Sequence, residues 1–236
     1  MQESTRRQLE GVSVATLATA LFKRGLRHQT LENVRPVAGK GRVMVGPAYT
    51  LRTIPAREDL NGIEVFRDPA HPQRQAIEQC PAGHVLMIDS RCDPRAASAG
   101  SILITRLMVR GGAGIVTDGG FRDSPEIGAL EIAAYHQRPS APTNLTHHQA
   151  IDTEVPIGCG GVAVFPGDIV VGDDEAVIVI PQAIVEAIAL EAVEMTAFED
   201  FVTEAVQNGR TIIGLYPPTD EQSLADFAAW RERHGR

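Results

Sequence analysis

HVLMIDSRCDPRAASAGSILITRLMVRGGAGIVTDGGFRD, residues 84–123, decides the fold class. His84 to Asp89 reads as a short buried strand. Ala99 to Gly111 carries Leu103, Leu107 and Met108 along one helical face, and Ala113 to Thr117 is a second apolar strand. A strand, a helix and a strand in that order predict a βαβ unit, and hence a sheet that is parallel in part. The closing segment, Thr117-Asp118-Gly119-Gly120-Phe121-Arg122-Asp123, falls where a buried strand ends, the place where open α/β sheets bind ligands. Paired glycines permit a tight turn and close backbone approach. Arg122 offers a planar fork for a carboxylate or enolate oxygen, and Asp123 an oxygen ligand for a hard cation. The same residues also fit a polar turn with an exposed Arg–Asp pair.

Outward from this unit, Val12 to Phe22 predicts a helix stopped at Gly25, and Arg42 to Ile54 a strand, a turn at Gly46-Pro47 and a second strand. Ser124-Pro125-Glu126 opens a helix that runs to about Ala134, with Ser124 as its cap. Gln137 to Thr146 reads as a loop. Val162 to Val171 and Ala176 to Ile180 are strands separated by the acidic turn Gly172-Asp173-Asp174-Glu175. A long helix spans Ile184 to Gln207 and is closed by Asn208-Gly209, and a last short helix carries Trp230. The expected organisation is an α/β domain over residues 1–183 and a helical arm over 184–236.

The 236 residues are 43% hydrophobic and 22% charged, which excludes a disordered chain or a coiled coil. With 22 Lys+Arg against 30 Asp+Glu the net charge is −8, which opposes bulk attraction to nucleic acid or anionic membranes. No transmembrane stretch is legible, and MQESTRRQLE lacks the apolar core of a secretory signal. The three cysteines, Cys80, Cys92 and Cys159, form no CxxC and read as reduced thiols in a cytoplasm. Residues 1–60 hold ten basic and five acidic groups, and residues 186–236 four basic and ten acidic. This asymmetry suits either a solvated helix face or an arm packed on a neighbouring subunit.

Gly100-Ser101-Ile102-Leu103, at a helix start, is a second candidate, because unpaired amides there bind anions. Asp93 is a further acid in the preceding loop. The histidines form no HxH or HExxH; His147 and His148 are adjacent and read as surface or loop residues. There is no GxSxG, Gly112-Ala113-Gly114 precedes a strand rather than a helix, and Gly39-Lys40 lacks the upstream glycine of a phosphate loop. Only two lysines occur, Lys23 and Lys40, and neither has the desolvated setting that a Schiff-base aldolase requires.

At these residues the chain resembles the RraA-like family, which includes class II 4-hydroxy-4-methyl-2-oxoglutarate and 4-carboxy-4-hydroxy-2-oxoadipate aldolases and regulators of ribonuclease E. The likeness runs from about Val12 to Pro181 and is strongest over residues 84–123 and in CGGVAVFPGDIVVGDDEAVIVIP, residues 159–181. It implies a three-layer β/β/α swivelling fold assembled as homotrimers or hexamers. It also implies a lyase that releases pyruvate from a 4-hydroxy-2-oxo acid and also decarboxylates oxaloacetate, using Mg²⁺ or Mn²⁺. On that resemblance Gly100, Ser101, Ile102 and Leu103 bind the pyruvyl group, Arg122 contacts substrate oxygens, Asp123 anchors the metal and Asp118 is a further catalytic residue. Ser101 stands where the aldolases carry an acid. Glu194 and Glu199 are the candidate bases from a neighbour's C-terminal helix. The alternative is a non-catalytic binding protein of the ribonuclease E regulator type.

Overall fold

The computed structural model describes residues 1–38 and 42–236. Lys40, in its Gly-Lys-Gly loop, lies outside the described residues. The chain opens with α1 (Glu3–Glu10) and α2 (Val14–Lys23). Ser13 caps α2 by accepting from the Thr16 amide at 3.1 Å, and Gly25 ends it in the left-handed region. Helix α1 carries no helical apolar pattern beyond Leu9, which is fully buried and anchors it. Next come β1 (Arg35–Ala38), β2 (Met44–Pro55), α3 (Pro72–Gln79), β3 (Val85–Asp89), β4 (Ala97–Ala99) and α4 (Ser101–Val109). They are followed by β5 (Gly114–Thr117), β6 (Gly120–Phe121), α5 (Ser124–Gly128), β7 (Ala133–His136), β8 (Arg138–Pro139) and β9 (His148–Thr153). Strands β10 (Ile157–Cys159), β11 (Val162–Val164), β12 (Ile169–Gly172) and β13 (Val177–Ile180) precede α6 (Val185–Gln207) and α7 (Glu221–His234).

The main sheet has the order β1-β7-β5-β3-β2-β12-β13, with β9 also paired to β2. Strand β3 pairs in parallel with β2 and β5, and β5 with β7, so residues 84–117 form the expected βαβ unit. Alternation of side chains splits the sheet into two faces. Val85, Met87, Val116, Tyr135, Val170 and Val179 point to one face, which the β10–β11 hairpin covers. Leu86, Ile88, Ile115 and Ala134 point to the other, against Ala76 and Ile77 of α3 and Ile104 and Leu107 of α4. At the β12–β13 end that second face is covered by α1, α2 and the first half of α6. The result is a curled mixed sheet with a β-hairpin on one side and helices on the other. The distal half of α6 and α7 form a small core of their own around Phe201 and Trp230.

Gly46-Pro47 is not a turn. Strand β2 runs through it and changes partner there: Met44 to Pro47 pair antiparallel with β12, and Ala48 to Arg52 pair in parallel with β3. A Cβ at residue 46 would lie 2.4 Å from the Gly83 carbonyl oxygen, so the glycine serves close backbone approach. The helix that starts at Ser124 is also shorter than its pattern suggested. It ends at Gly128, and Ala133-Ala134 belong to β7 inside the sheet. Ser124 is its first helical residue, with Asp123 in the cap position, and Ser124 Oγ donates to the Phe121 carbonyl at 3.2 Å. Ala97–Ala99, partly read as helix, form a strand, and Pro166-Gly167 separate β11 from β12. Within the loop 137–146, Arg138–Pro139 pair with β6. Part of the charge asymmetry is used inside the chain, where Lys23 and Arg24 both meet Glu191 of α6.

Histidine placement also differs from expectation, since His71, His136 and His148 are buried. Burial holds all three rings below the ordinary imidazole value, and His136, stacked on Phe121, falls to about 4. Burial moves the Asp89 carboxyl the other way, up to about 6. As pH falls from 6.5 towards 4, the unfolded chain takes up His protons that the folded chain resists at three positions. One carboxyl, Asp89, gains its proton preferentially in the folded state and opposes this. The net sign is a loss of stability as pH falls through that window. Urea midpoints should therefore drop between pH 7 and pH 4.5. His136→Phe should make that drop shallower; an unchanged slope in the variant would show that His136 is not a source of the acid sensitivity.

Candidate functional site

Two short strands create the site. β4 pairs in parallel with β6, Ala99 facing Phe121, and the Arg122 amide donates to the Ala99 carbonyl at 3.1 Å. The residues that follow, Gly100 on one side and Arg122-Asp123 on the other, are therefore neighbours. A Cβ on Gly100 would lie 2.8 Å from Arg122 Nε and 2.8 Å from Asp123 Oδ2. Glycine lets both functional side chains rest on the backbone at the N-terminus of α4. Asp123 adopts the left-handed conformation (φ 57°, ψ 39°), which Asp tolerates better than most residues. Its Oδ2 accepts from the Ser101 amide at 3.1 Å and the Ser101 hydroxyl at 3.2 Å, and lies 3.6 Å from Arg122 Nε. Oδ1 has no hydrogen-bond partner among the described residues.

Arg122 and Asp123 form a divide between two clefts. The one of about 610 Å³ is lined by Gly100, Ile102 and Leu103 as well as Arg74, Gln73 and Asn144. The one of about 700 Å³, lined by Val37, Phe121, Pro125 and Ser140, lacks both the α4 amides and a second cation. The smaller cleft is the better anion site. The Ile102 amide, in the first turn, has no intrahelical partner and adds to the donors there. Gly100, Ile102, Leu103, Arg122 and Asp123 are thus brought together, with Ser101 holding Asp123 in place.

Asp118 is not part of this cleft. It is 1% exposed, and its carboxylate accepts from the amides of Ser90 (2.6 Å), Cys92 (3.0 Å) and Gly160 (3.2 Å) and from the Cys92 thiol (3.2 Å). A carboxylate with its lone pairs filled by backbone donors positions loops rather than substrate. Beneath the loop, the hydroxyls of Ser90, Ser98 and Thr117 form a closed triangle with sides of 2.6, 2.9 and 2.7 Å. Asp93 is bound by Arg95 at 2.7 Å and faces His147. The Arg95 guanidinium holds it well below the usual carboxylate range, so it is unsuited to act as a general acid. On α6, Glu194 pairs with Arg231 at 2.5 Å and Glu199 accepts from the Thr16 hydroxyl at 2.7 Å. Neither lines the cleft of its own chain. Lys23 is 52% exposed and bridged to Glu191, so it is not the desolvated amine of a Schiff-base enzyme. Cys80, Cys92 and Cys159 are all free thiols. No helix among the described residues is long and apolar enough to cross a membrane.

Residues 14–179 match the family model RraA-like, described as Aldolase/RraA, and the chain belongs to this family. A protein of Halalkalibacterium halodurans, provisionally named a 4-hydroxy-4-methyl-2-oxoglutarate aldolase, is 32% identical over 193 residues, which span 81% of this chain and 84% of that one. A Burkholderia mallei protein with the same provisional name is 32% identical over 157 residues, 64% of this chain and 83% of the relative. Among solved structures, Streptomyces coelicolor RraAS2 superposes with a TM-score of 0.74 at 28% identity, covering 85% of this chain and 96% of its own. That protein is described as an unusual member of the RNase ES inhibitor RraA protein family.

Two substitutions separate the cleft from its support. Gly100→Ala should displace Arg122 and Asp123 and lower kcat/KM by about tenfold or more, with a melting temperature within a few degrees of wild type. Asp118→Ala strands three buried amides and should cost roughly 3 kcal/mol or more of stability in urea unfolding. Equal stability of Asp118→Ala and wild type would contradict the supporting role given to Asp118.

Proposed function

We propose that the protein is a divalent-metal-dependent lyase that cleaves a C–C bond of a 4-hydroxy-2-oxo acid to release pyruvate, and that also decarboxylates oxaloacetate. The observation that carries this reading is the seating of Arg122 and Asp123 on the N-terminus of α4 at Gly100. Retro-aldol cleavage and decarboxylation both leave the enolate of pyruvate, so the site has to hold a carboxylate beside a carbonyl oxygen that gains charge. The Ile102 amide, with the Ser101 amide holding Asp123 and the Leu103 amide turned back to the Gly100 carbonyl, and the Arg122 fork are the fixed donors of that kind, and preorganised donors aimed at developing charge are commonly the largest contribution to rate. The provisional aldolase names of the two relatives support the same class of reaction.

The donor set suits a hard cation. Among the described residues no group of three or more His, Cys, Asp or Glu side chains forms a ready cage. Asp123 is a single carboxylate, 38% exposed, with Oδ1 unengaged. Mg²⁺ and Mn²⁺ keep several waters and bind through one or two carboxylates, which fits a lone Asp at the edge of a cleft. When bound there, the cation supplies Lewis-acid polarisation of the 2-oxo group. Arg122 orients the substrate, and Ser101 keeps Asp123 from swinging away. The proton acceptor for the 4-hydroxyl is assigned to a neighbouring subunit in a homotrimer or hexamer, with Glu194 and Glu199 as the candidates. The second reading, a non-catalytic regulatory protein, draws on the likeness to RraAS2. A binding role gives no reason for an anion fork beside a solvent-facing acid, which favours the lyase.

Release of pyruvate from 4-hydroxy-4-methyl-2-oxoglutarate and from oxaloacetate, measured with a coupled dehydrogenase, tests the proposal. EDTA should abolish the activity and Mg²⁺ or Mn²⁺ restore it. Arg122→Lys keeps the charge but loses the two-point geometry, and should lower kcat/KM by about a hundredfold with little change in metal requirement. Asp123→Asn should instead raise the metal concentration needed for half-maximal activity. Near-normal turnover and metal response in both variants would leave residues 118–123 as a turn and favour the regulatory reading.

A further inference from the structure

The chain contains two Asn-Gly steps, Asn61-Gly62 and Asn208-Gly209, and the fold treats them differently. An asparagine followed by glycine can close on itself, because glycine has no side chain to keep its nitrogen from the neighbouring amide carbon. At Asn208-Gly209 that nitrogen is occupied. Asn208 caps the C-terminus of α6, its amide donates to the Glu204 carbonyl at 3.1 Å, and the Gly209 amide donates to the Val206 carbonyl at 2.9 Å. Attack there has to break the last turn of the helix. At Asn61-Gly62 the nitrogen is free: Gly62 is extended (φ −68°, ψ 161°), and its amide donates to no acceptor among the described residues. Asn61 is held in a turn, its amide donating to the Arg57 carbonyl at 2.9 Å and its Oδ1 accepting from the Arg57 amide at 2.7 Å. A fixed donor on Oδ1 draws electrons from Cγ, the carbon under attack, and stabilises the oxygen as charge develops on it. The Glu64 carboxylate folds back over Gly62 and occupies the place where a Cβ would stand at that residue. A proton acceptor therefore lies beside the attacking residue.

We propose that Asn61-Gly62 is a self-modifying site, at which the Gly62 nitrogen attacks Asn61 Cγ while the Arg57 amide holds Oδ1 and Glu64 takes the Gly62 proton. The bond from Cγ to the side-chain nitrogen then breaks. That nitrogen leaves as ammonia, carrying the proton away, and a cyclic imide remains. Water opens the imide at either of its carbonyls and leaves aspartate or isoaspartate at residue 61. The balance is asparagine plus water to acid plus ammonia, with no oxidant, reductant or cofactor. The product lies on a segment that walls the anion cleft, since Ile63 and Phe66 both line it. Phe66 also carries the Arg74 guanidinium over its ring, 4.4 Å from the centroid. Each event adds one negative charge two residues before Ile63, at the edge of a cleft whose cations are Arg74 and Arg122. The modified chain therefore holds a small anion less tightly. The modification itself does not depend on the lyase reading.

The test ages the folded full-length protein in mildly alkaline buffer, digests it in acid and follows both asparagines by mass spectrometry of the peptides, with Asn208 as the internal reference. Asn61 should convert at least about tenfold faster than Asn208, and Glu64→Gln should slow Asn61 by about tenfold while leaving Asn208 unchanged. Glu64 is exposed, so this variant leaves the core intact. In concentrated urea the two asparagines should convert at similar rates, because the advantage of Asn61 belongs to the fold. Equal rates at the two sites in the folded protein, a ratio that survives in urea, or a Glu64→Gln chain that converts as fast as wild type would overturn the proposal. The effect on the cleft is read separately, without turnover. Asn61→Asp, the simpler product, should bind pyruvate about threefold more weakly than wild type in calorimetric titration with Mg²⁺. Equal affinities, or no binding by either chain, would overturn the effect assigned to the cleft and leave the modification standing.

Discussion

The site depends on one buried carboxylate. Asp118 leaves the end of β5 and accepts hydrogen bonds from the amides of Ser90, Cys92 and Gly160, which belong to the turn after β3 and the hairpin β10–β11. A carboxylate in that position is tolerable only because every bond it makes comes from a donor. Its effect is to tie the carboxyl ends of two parallel strands to the layer packed beneath them. From there the chain has one course, through Gly119 and into β6, and β6 pairs with β4 immediately before α4. Arg122 and Asp123 arrive over Gly100 because of that pairing. Their position is set by backbone hydrogen bonds and by the burial of Phe121, the preceding residue, which stacks on His136.

Local charge and overall charge point in opposite directions, and the local one governs the cleft. The chain carries a net −8, yet its two cleft arginines face each other with a single acid between the α4 amides and Arg122. Elsewhere several cations are paired: Arg95 with Asp93, Arg106 with Glu78, Arg24 with Glu191, Arg231 with Glu194. An acidic surface with a cationic recess suits a small anion better than a polyanion, because a recess focuses the field while the surrounding acids repel an extended phosphate backbone.

Much of this was legible from residues 84–123. The apolar runs before Asp89 and Thr117, with a helix between them, require the parallel β3–β5 pair, and the Arg-Asp dipeptide at the strand end marks the cleft. The failures have definite causes. Gly46-Pro47 carries the signal of a turn, but there it serves a strand that exchanges one partner for another, a tertiary event with no local signature. The pattern from Ser124 continues apolar through Ala134 because a buried strand and a buried helix share that composition. β4 and β6 are too short to show a period. The family resemblance implies a catalytic Asp118. It marks the right loop, but the side chain turns inward to the Ser90, Cys92 and Gly160 amides. Gln73 and Arg74 sit on a helix with a mean composition too polar to stand out, and their place in the cleft comes from the tertiary fold.

The central claim is that Arg122 and Asp123, seated on Gly100, stabilise the enolate of pyruvate. Enolate formation can be followed without the complete substrate, by proton NMR of pyruvate in D₂O. With wild-type protein and Mg²⁺ the methyl signal should decay as deuterium enters at C3; the decay should be about a hundredfold slower with Arg122→Lys and fall to the uncatalysed rate after EDTA. A methyl signal that decays no faster with wild type and Mg²⁺ than with buffer would contradict the account.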